Sequence, residues 1–217
     1  MRPGWPGFAS GEPEPMRLYA SATSPFVRKV DVVLHETGLF GKVERILSGG
    51  TPVDPGNLPL ALNPLGKIPV LARDDGPALY DSRVICRYLD SVANAGLYPA
   101  PPRLWDALTL EATADGILEA AVLMVYESRI RPEEKRHEPW VEGQWSKIAR
   151  ALEAVEARWM SQLQGPLDIG QIAMGCALDY LDFRHGPRDW RAARPLLAEW
   201  AGSFSQRSSM LATVPVA

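Results

Sequence analysis

Every stretch of this chain that reads as a β-strand lies before Tyr98-Pro99-Ala100-Pro101-Pro102, and only helical periods follow it. Proline lacks a backbone N–H and has a fixed φ, so three prolines in five residues suit neither a helix interior nor a strand ladder. They mark a boundary. A chain of 217 residues can fill two small cores. The expected fold is therefore an α/β layer over residues 16–97, a linker at 98–104 and an all-helical part over 105–217. Residues 1–15 carry Pro3, Pro6, Pro13 and Pro15 with no apolar period, so they are expected to be a flexible extension. Met16 would open the folded part.

The first half begins with an apolar strand, Met16 to Ala20, that turns at Thr23-Ser24-Pro25-Phe26-Val27-Arg28. Serine suits an N-cap and proline the first helical position, so a helix starts here. Phe26, Val30, Val33 and Leu34 give it one buried stripe, and Gly38 marks its end. Val43 to Leu47 reads as a second strand. Residues 48–60, rich in Gly, Pro, Asn and Asp, read as a long surface loop. Val70 to Ala72 and Ala78 to Tyr80 form a hairpin around Asp74-Asp75-Gly76. Pro69 then opens a strand, where a missing donor is tolerated. Judged by its residues alone, the Ile68–Pro69 bond is expected trans. Asp81-Ser82 opens a second helix, with Ser82 as the expected cap.

Beyond the boundary, Leu110, Ala114, Ile117, Ala121 and Met124 recur at helical spacing, as do Val141, Trp145, Ile148, Leu152, Val155 and Trp159. Both patterns predict long helices packed in a bundle. Arg131 to Glu138 is a charged, solvated connection. Gly165-Pro166-Leu167-Asp168 starts another helix, with Ile169, Ile172, Ala173, Cys176 and Tyr180 inward, and a last one begins after Pro195.

The composition excludes several functions. A net charge of −3 gives no electrostatic footprint for nucleic acid or an anionic membrane. The apolar run Ala120 to Tyr126 is much shorter than the roughly 18 residues of a spanning helix. Cys86 and Cys176 form no CxxC pair and fall on apolar helical positions, so they read as buried thiols in a reducing compartment. His35, His137 and His185 have no metal-ligand spacing, and no metal site is expected. GxGxxG, P-loop, GxSxG and HExxH motifs are all missing.

Three motifs in order carry a family resemblance. Ser24-Pro25-Phe26 before Arg28, Asn63-Pro64 leading into Lys67-Ile68-Pro69-Val70-Leu71, and Asp81-Ser82 opening a helix precede an all-helical second half. Together they resemble the cytosolic glutathione transferases, over about residues 16–213. The resemblance implies a thioredoxin-like N-terminal domain and a cis Pro69. It implies that the backbone of Ile68 pairs with the cysteinyl unit of glutathione like an added strand. Asp81 would face the ligand's amino group. Ser82 and its helix N-terminus would hold the γ-glutamyl carboxylate. Glutathione would be the co-substrate, no metal would take part, and the protein would be a cytoplasmic homodimer.

The same resemblance puts Ser24 opposite the glutathione sulfur, as in the serine-type classes. A thiol has a pKa near 8.5, and each unit of lowering takes about 1.4 kcal/mol. A hydrogen bond to a charged group supplies roughly 1.5–3 kcal/mol, and the helix dipole up to about 1 more. Ser24 and its helix can thus lower the thiol by one or two units. An apolar electrophile would lie against the helical half, with Phe26 and Tyr126 as candidate walls. The alternative reading is a non-catalytic dimer or partner-docking protein on the same fold.

Overall fold

The computed structural model describes residues 15–215, so the expectation of a flexible extension falls outside the described residues except at Pro15. Strand β1 (Met16–Ala20) runs parallel to β2 (Val43–Leu47), with Leu18 opposite Arg45. A parallel pair needs a crossover. Helix α1 (Pro25–Glu36) provides it, ending ahead of Gly38, whose φ of +69° suits glycine. On its other side β1 lies antiparallel to β3 (Val70–Arg73), with Leu18 opposite Leu71, and β3 turns back into β4 (Gly76–Leu79). The sheet order is β2-β1-β3-β4. Tyr80, expected at the end of the hairpin, has already left the sheet.

Helix α2 (Ser82–Ala93) corrects the expected cap. Asp81 has the extended backbone an N-cap needs, and its Oδ1 accepts the Arg83 N–H at 3.1 Å. Ser82 is the first helical residue and is buried. The Ile68–Pro69 bond is cis, as the resemblance implied and against the general preference.

The helical half contains α3 (Arg103–Ile130), α4 (Glu138–Arg158), α5 (Met160–Leu163), α6 (Ile169–His185), α7 (Pro195–Phe204) and α8 (Ser208–Leu211). Helix α3 begins inside the stretch assigned to the linker, because Pro102 can precede a first turn without giving up a donor. Its stripe from Leu110 to Met124 is buried against Ile148, Leu152 and Val155 of α4 and Ala173, Ala177 and Leu181 of α6. Asp168 caps α6, Oδ1 accepting from Gly170 N–H at 3.0 Å and Gln171 N–H at 3.2 Å.

Helix α6 is apolar nearly all round because it serves two cores. Ala173 and Leu181 belong to the helical core, whereas Ile169, Ile172 and Cys176 pack with Leu18, Val30, Val33 and Leu89 of the sheet layer. Both cysteines are buried free thiols. The β1–α1 turn is thereby pressed against α6.

Candidate active site

Ser24 ends the turn that follows β1 and caps α1. Its Oγ accepts the Val27 N–H at 3.3 Å and its carbonyl accepts the Arg28 N–H at 3.0 Å. A hydroxyl that accepts one hydrogen bond still has its O–H to donate. Ser24 lies in a narrow crevice with Thr23, Pro25 and Arg28 on the α1 side, Cys176 and Tyr180 of α6 opposite, and Pro215 also in its lining. Burial pushes the Cys176 thiol up to about 12, so this second sulfur is a protonated wall and not a competing nucleophile.

The cis bond at Ile68–Pro69 is reached through Asn63. That buried side chain donates from Nδ2 to Lys67 O at 2.9 Å and accepts the Leu65 N–H at 3.1 Å, fixing the loop ahead of β3. Asp81 and Ser82 stand beyond β4, at the N-terminus of α2, where helical N–H groups are open to an anion. Burial works against the Asp81 charge. The Arg83 hydrogen bond and positive charge outweigh it and hold the carboxyl below its ordinary value. Arg83 Nη2 donates to Asp81 Oδ2 at 3.0 Å, so a ligand ammonium would share that carboxylate with Arg83.

Behind these residues runs a buried polar chain that sequence inspection missed. Lys29 Nζ donates to Asp115 at 2.7 Å and to Glu111 at 3.2 Å, and Tyr98 OH donates to Glu111 at 3.3 Å. Arg83 Nε stands 3.5 Å from Asp115, so the chain reaches Asp81. Arg28 is legible in the sequence only as part of the motif that begins at Ser24-Pro25-Phe26, and Lys29 carries no local signal of its pairing.

Tyr126 lines a cleft of about 590 Å³ between the long loop and the helical half. Pro52 and Val53 form one wall, Leu123 and Ile130 the other, and Trp140 lies at the end. Arg131, Lys135 and His137 bring polar atoms to it. Glu127 is occupied, accepting from Arg131 Nε at 2.7 Å and His137 N–H at 3.0 Å. Phe26 does not line this cleft. It is half-buried against the helical core. Burial pushes the Tyr180 phenol up, Arg184 and Arg129 oppose the shift, and Tyr126 adds to it.

A four-stranded mixed sheet with a cis-proline before β3, joined to an all-helical half, defines the thioredoxin-like two-domain class. Within it, residues 23–92 match the glutathione S-transferase N-terminal domain and residues 138–202 the C-terminal domain. The chain is 33% identical over 204 residues to the uncharacterized GST-like protein YibF of Escherichia coli K12, covering 92% of this chain and 98% of that one. A glutathione transferase family member from Pseudomonas fluorescens Pf-5, solved with bound glutathione, is 47% identical with a TM-score of 0.90, covering 93% of this chain and all of that one. A glutathione S-transferase from Methylobacillus flagellatus KT with glutathione bound is 36% identical with a TM-score of 0.82, over 93% of this chain and 100% of that one. The chain belongs to the glutathione S-transferase family.

Proposed function

We propose that the protein conjugates reduced glutathione to apolar electrophiles and that Ser24 stabilises the glutathione thiolate, as in the serine-type classes. The observation that carries this reading is the position of Ser24. Its Oγ caps α1 by accepting the Val27 N–H, and its O–H is left to donate beside an open helix N-terminus. The glutathione bound in the Pseudomonas and Methylobacillus relatives supports the choice of co-substrate.

In this reading the Ile68 backbone pairs with the cysteinyl unit beside cis-Pro69. Ser82 and the first turn of α2 take the γ-glutamyl carboxylate, and Asp81 takes the amino group. The cysteinyl thiol gives its proton to solvent. The sulfur then forms a C–S bond to the electrophilic carbon, and a leaving group departs with its electron pair or the acceptor carbon takes up a proton. The cleft at Tyr126 holds the apolar body of the electrophile, and Phe26 backs α1 from the helical core. A cytoplasmic homodimer is part of the same proposal.

Calorimetric titration with reduced glutathione, in two buffers of different ionisation enthalpy, tests the reading. Binding with release of a proton near neutral pH is the expected result. Absence of binding would leave a non-catalytic docking protein on a transferase fold.

A further inference from the structure

Arg28 follows Ser24 by one helical turn, on the same face of α1. Its side chain is only 6% exposed. Nη2 donates to Asp179 Oδ2 at 2.7 Å and to Met210 O at 3.4 Å. Nε and Nη1 are buried and have no hydrogen-bond partner. Buried donors are almost always paired, and an exception calls for an explanation. Arg28 lines the crevice that holds Ser24, together with Thr23, Cys176, Tyr180 and Pro215. A ligand carboxylate entering that crevice can pair with these nitrogens.

Arg28, Arg184 and Arg129 stand around the crevice walls, with Asp179 and Asp31 as the opposing charges. Asp179 engages one nitrogen of Arg28 and leaves the rest of the guanidinium free. Tyr180 in the opposite wall has the Arg184 and Arg129 guanidiniums near it, and Arg131 and Lys135 line the Tyr126 cleft. Glu127, the acidic residue in that cleft's wall, is taken by Arg131 and His137. Cys176 and Tyr180 are both held neutral by burial.

We propose that the unpartnered edge of Arg28 receives a carboxylate on the molecule joined to the glutathione sulfur, so that the protein's second substrates are acidic electrophiles. Such a molecule has an apolar body for the Tyr126 cleft and an anionic group for Arg28. The inference rests on the glutathione reading of Ser24.

The test compares the affinities of reduced glutathione, S-carboxymethylglutathione and S-carbamoylmethylglutathione by calorimetry. The two conjugates match in shape and differ in one charge. The carboxymethyl conjugate is expected to bind wild-type protein at least about tenfold more tightly than the carbamoyl one, the size of a charged hydrogen bond. Arg28→Gln should bring that ratio close to one. Asp179→Asn, which removes the ion pair but keeps the guanidinium, should preserve it. Equal affinity of the two conjugates for wild-type protein that binds glutathione would overturn the proposal alone, as would a preference that survives Arg28→Gln. Failure to bind all three would overturn the glutathione reading and this inference with it. Should Arg28→Gln not fold, the wild-type ratio and Asp179→Asn still decide.

Discussion

Lys29 on α1 and Asp115 on α3 are 86 residues apart in sequence, and their side chains meet in the interior at 2.7 Å and 2.9 Å. Glu111, one turn earlier on α3, accepts from the same ammonium at 3.2 Å. One cation and two carboxylates are thus buried where the sheet layer meets the helical half. Burial opposes the Lys29 charge. Asp115 and then Glu111 outweigh it and hold the ammonium up to about 12. Burial, with the Asp115 charge, keeps the Glu111 carboxyl above its ordinary value even though Lys29 and Tyr98 oppose it. The contact geometry makes Lys29 the only cation within hydrogen-bond reach of Glu111 among the described residues.

Lys29→Met should therefore destabilise the protein strongly. Removing one partner of a buried ion pair leaves uncompensated charge and costs about 3–5 kcal/mol. Urea denaturation at neutral pH measures it. The pH dependence carries a sign. Without Lys29 the folded Glu111 lies further above its unfolded pKa, so the variant should recover stability as pH falls through the folded value. A variant equally unstable at pH 7 and pH 5 would show that Glu111 does not need the lysine. In the wild-type protein, the Lys29 contribution is full below its ordinary 10.5 and lost as pH rises through about 12.

Ser24→Ala separates the cap from the chemistry. Loss of the cap alone costs about 1 kcal/mol of stability. Loss of the O–H donor should raise the pKa of bound glutathione by about one to two units, since a charged hydrogen bond supplies roughly 1.5–3 kcal/mol. Thiolate absorbance across a pH series reads that shift, and turnover near pH 6.5 should fall about 10- to 100-fold with it. A small stability loss with an unchanged thiol pKa would reduce Ser24 to a cap.

Tyr126→Ala should raise KM for an apolar electrophile by about tenfold, through loss of buried aromatic surface. Glutathione affinity should stay within about twofold, because Tyr126 lines the cleft and not the crevice at Ser24. Steady-state kinetics with each substrate varied in turn distinguish the two. A change in glutathione KM alone would move Tyr126 out of the electrophile site.

What the sequence made legible was local or periodic. The Ser24-Pro25 start of α1 rests on hydrogen bonds within four residues, and the α3 stripe rests on a repeat. Asp81 and Ser82 are both cap-competent, and only the backbone angles decide between them, so the cap was misassigned by one position. Phe26 fits the helical period, but the period does not say which core its face meets. The cis bond before Val70 goes against the general preference and was visible only through family likeness. Arg28–Asp179 and Lys29–Asp115 pair residues 151 and 86 positions apart. No short-range signal encodes such contacts.

Glu36, at the end of α1, holds the C-terminal segment whose Pro215 lines the crevice at Ser24. Arg207 donates from Nε and Nη2 to its two oxygens at 3.0 Å each, and Ser209 donates to Oε1. Burial raises the Glu36 carboxyl, but these hydrogen bonds and the Arg207 charge outweigh it, so its pKa is lowered. A carboxylate with a depressed folded pKa contributes stability above its unfolded value of about 4.5, and loses it as pH falls through the folded value. Because Arg207 is more than a third exposed, solvent screening limits the contact to about 1 kcal/mol. Glu36→Gln should accordingly speed amide exchange in Ser208–Leu211 about fivefold at neutral pH, leave the α3 core unchanged, and abolish the acid sensitivity of that segment. Hydrogen exchange followed from pH 7 to pH 4 gives all three readings. Equal exchange in wild-type and Glu36→Gln proteins would show that apolar packing of Met210 alone docks the segment.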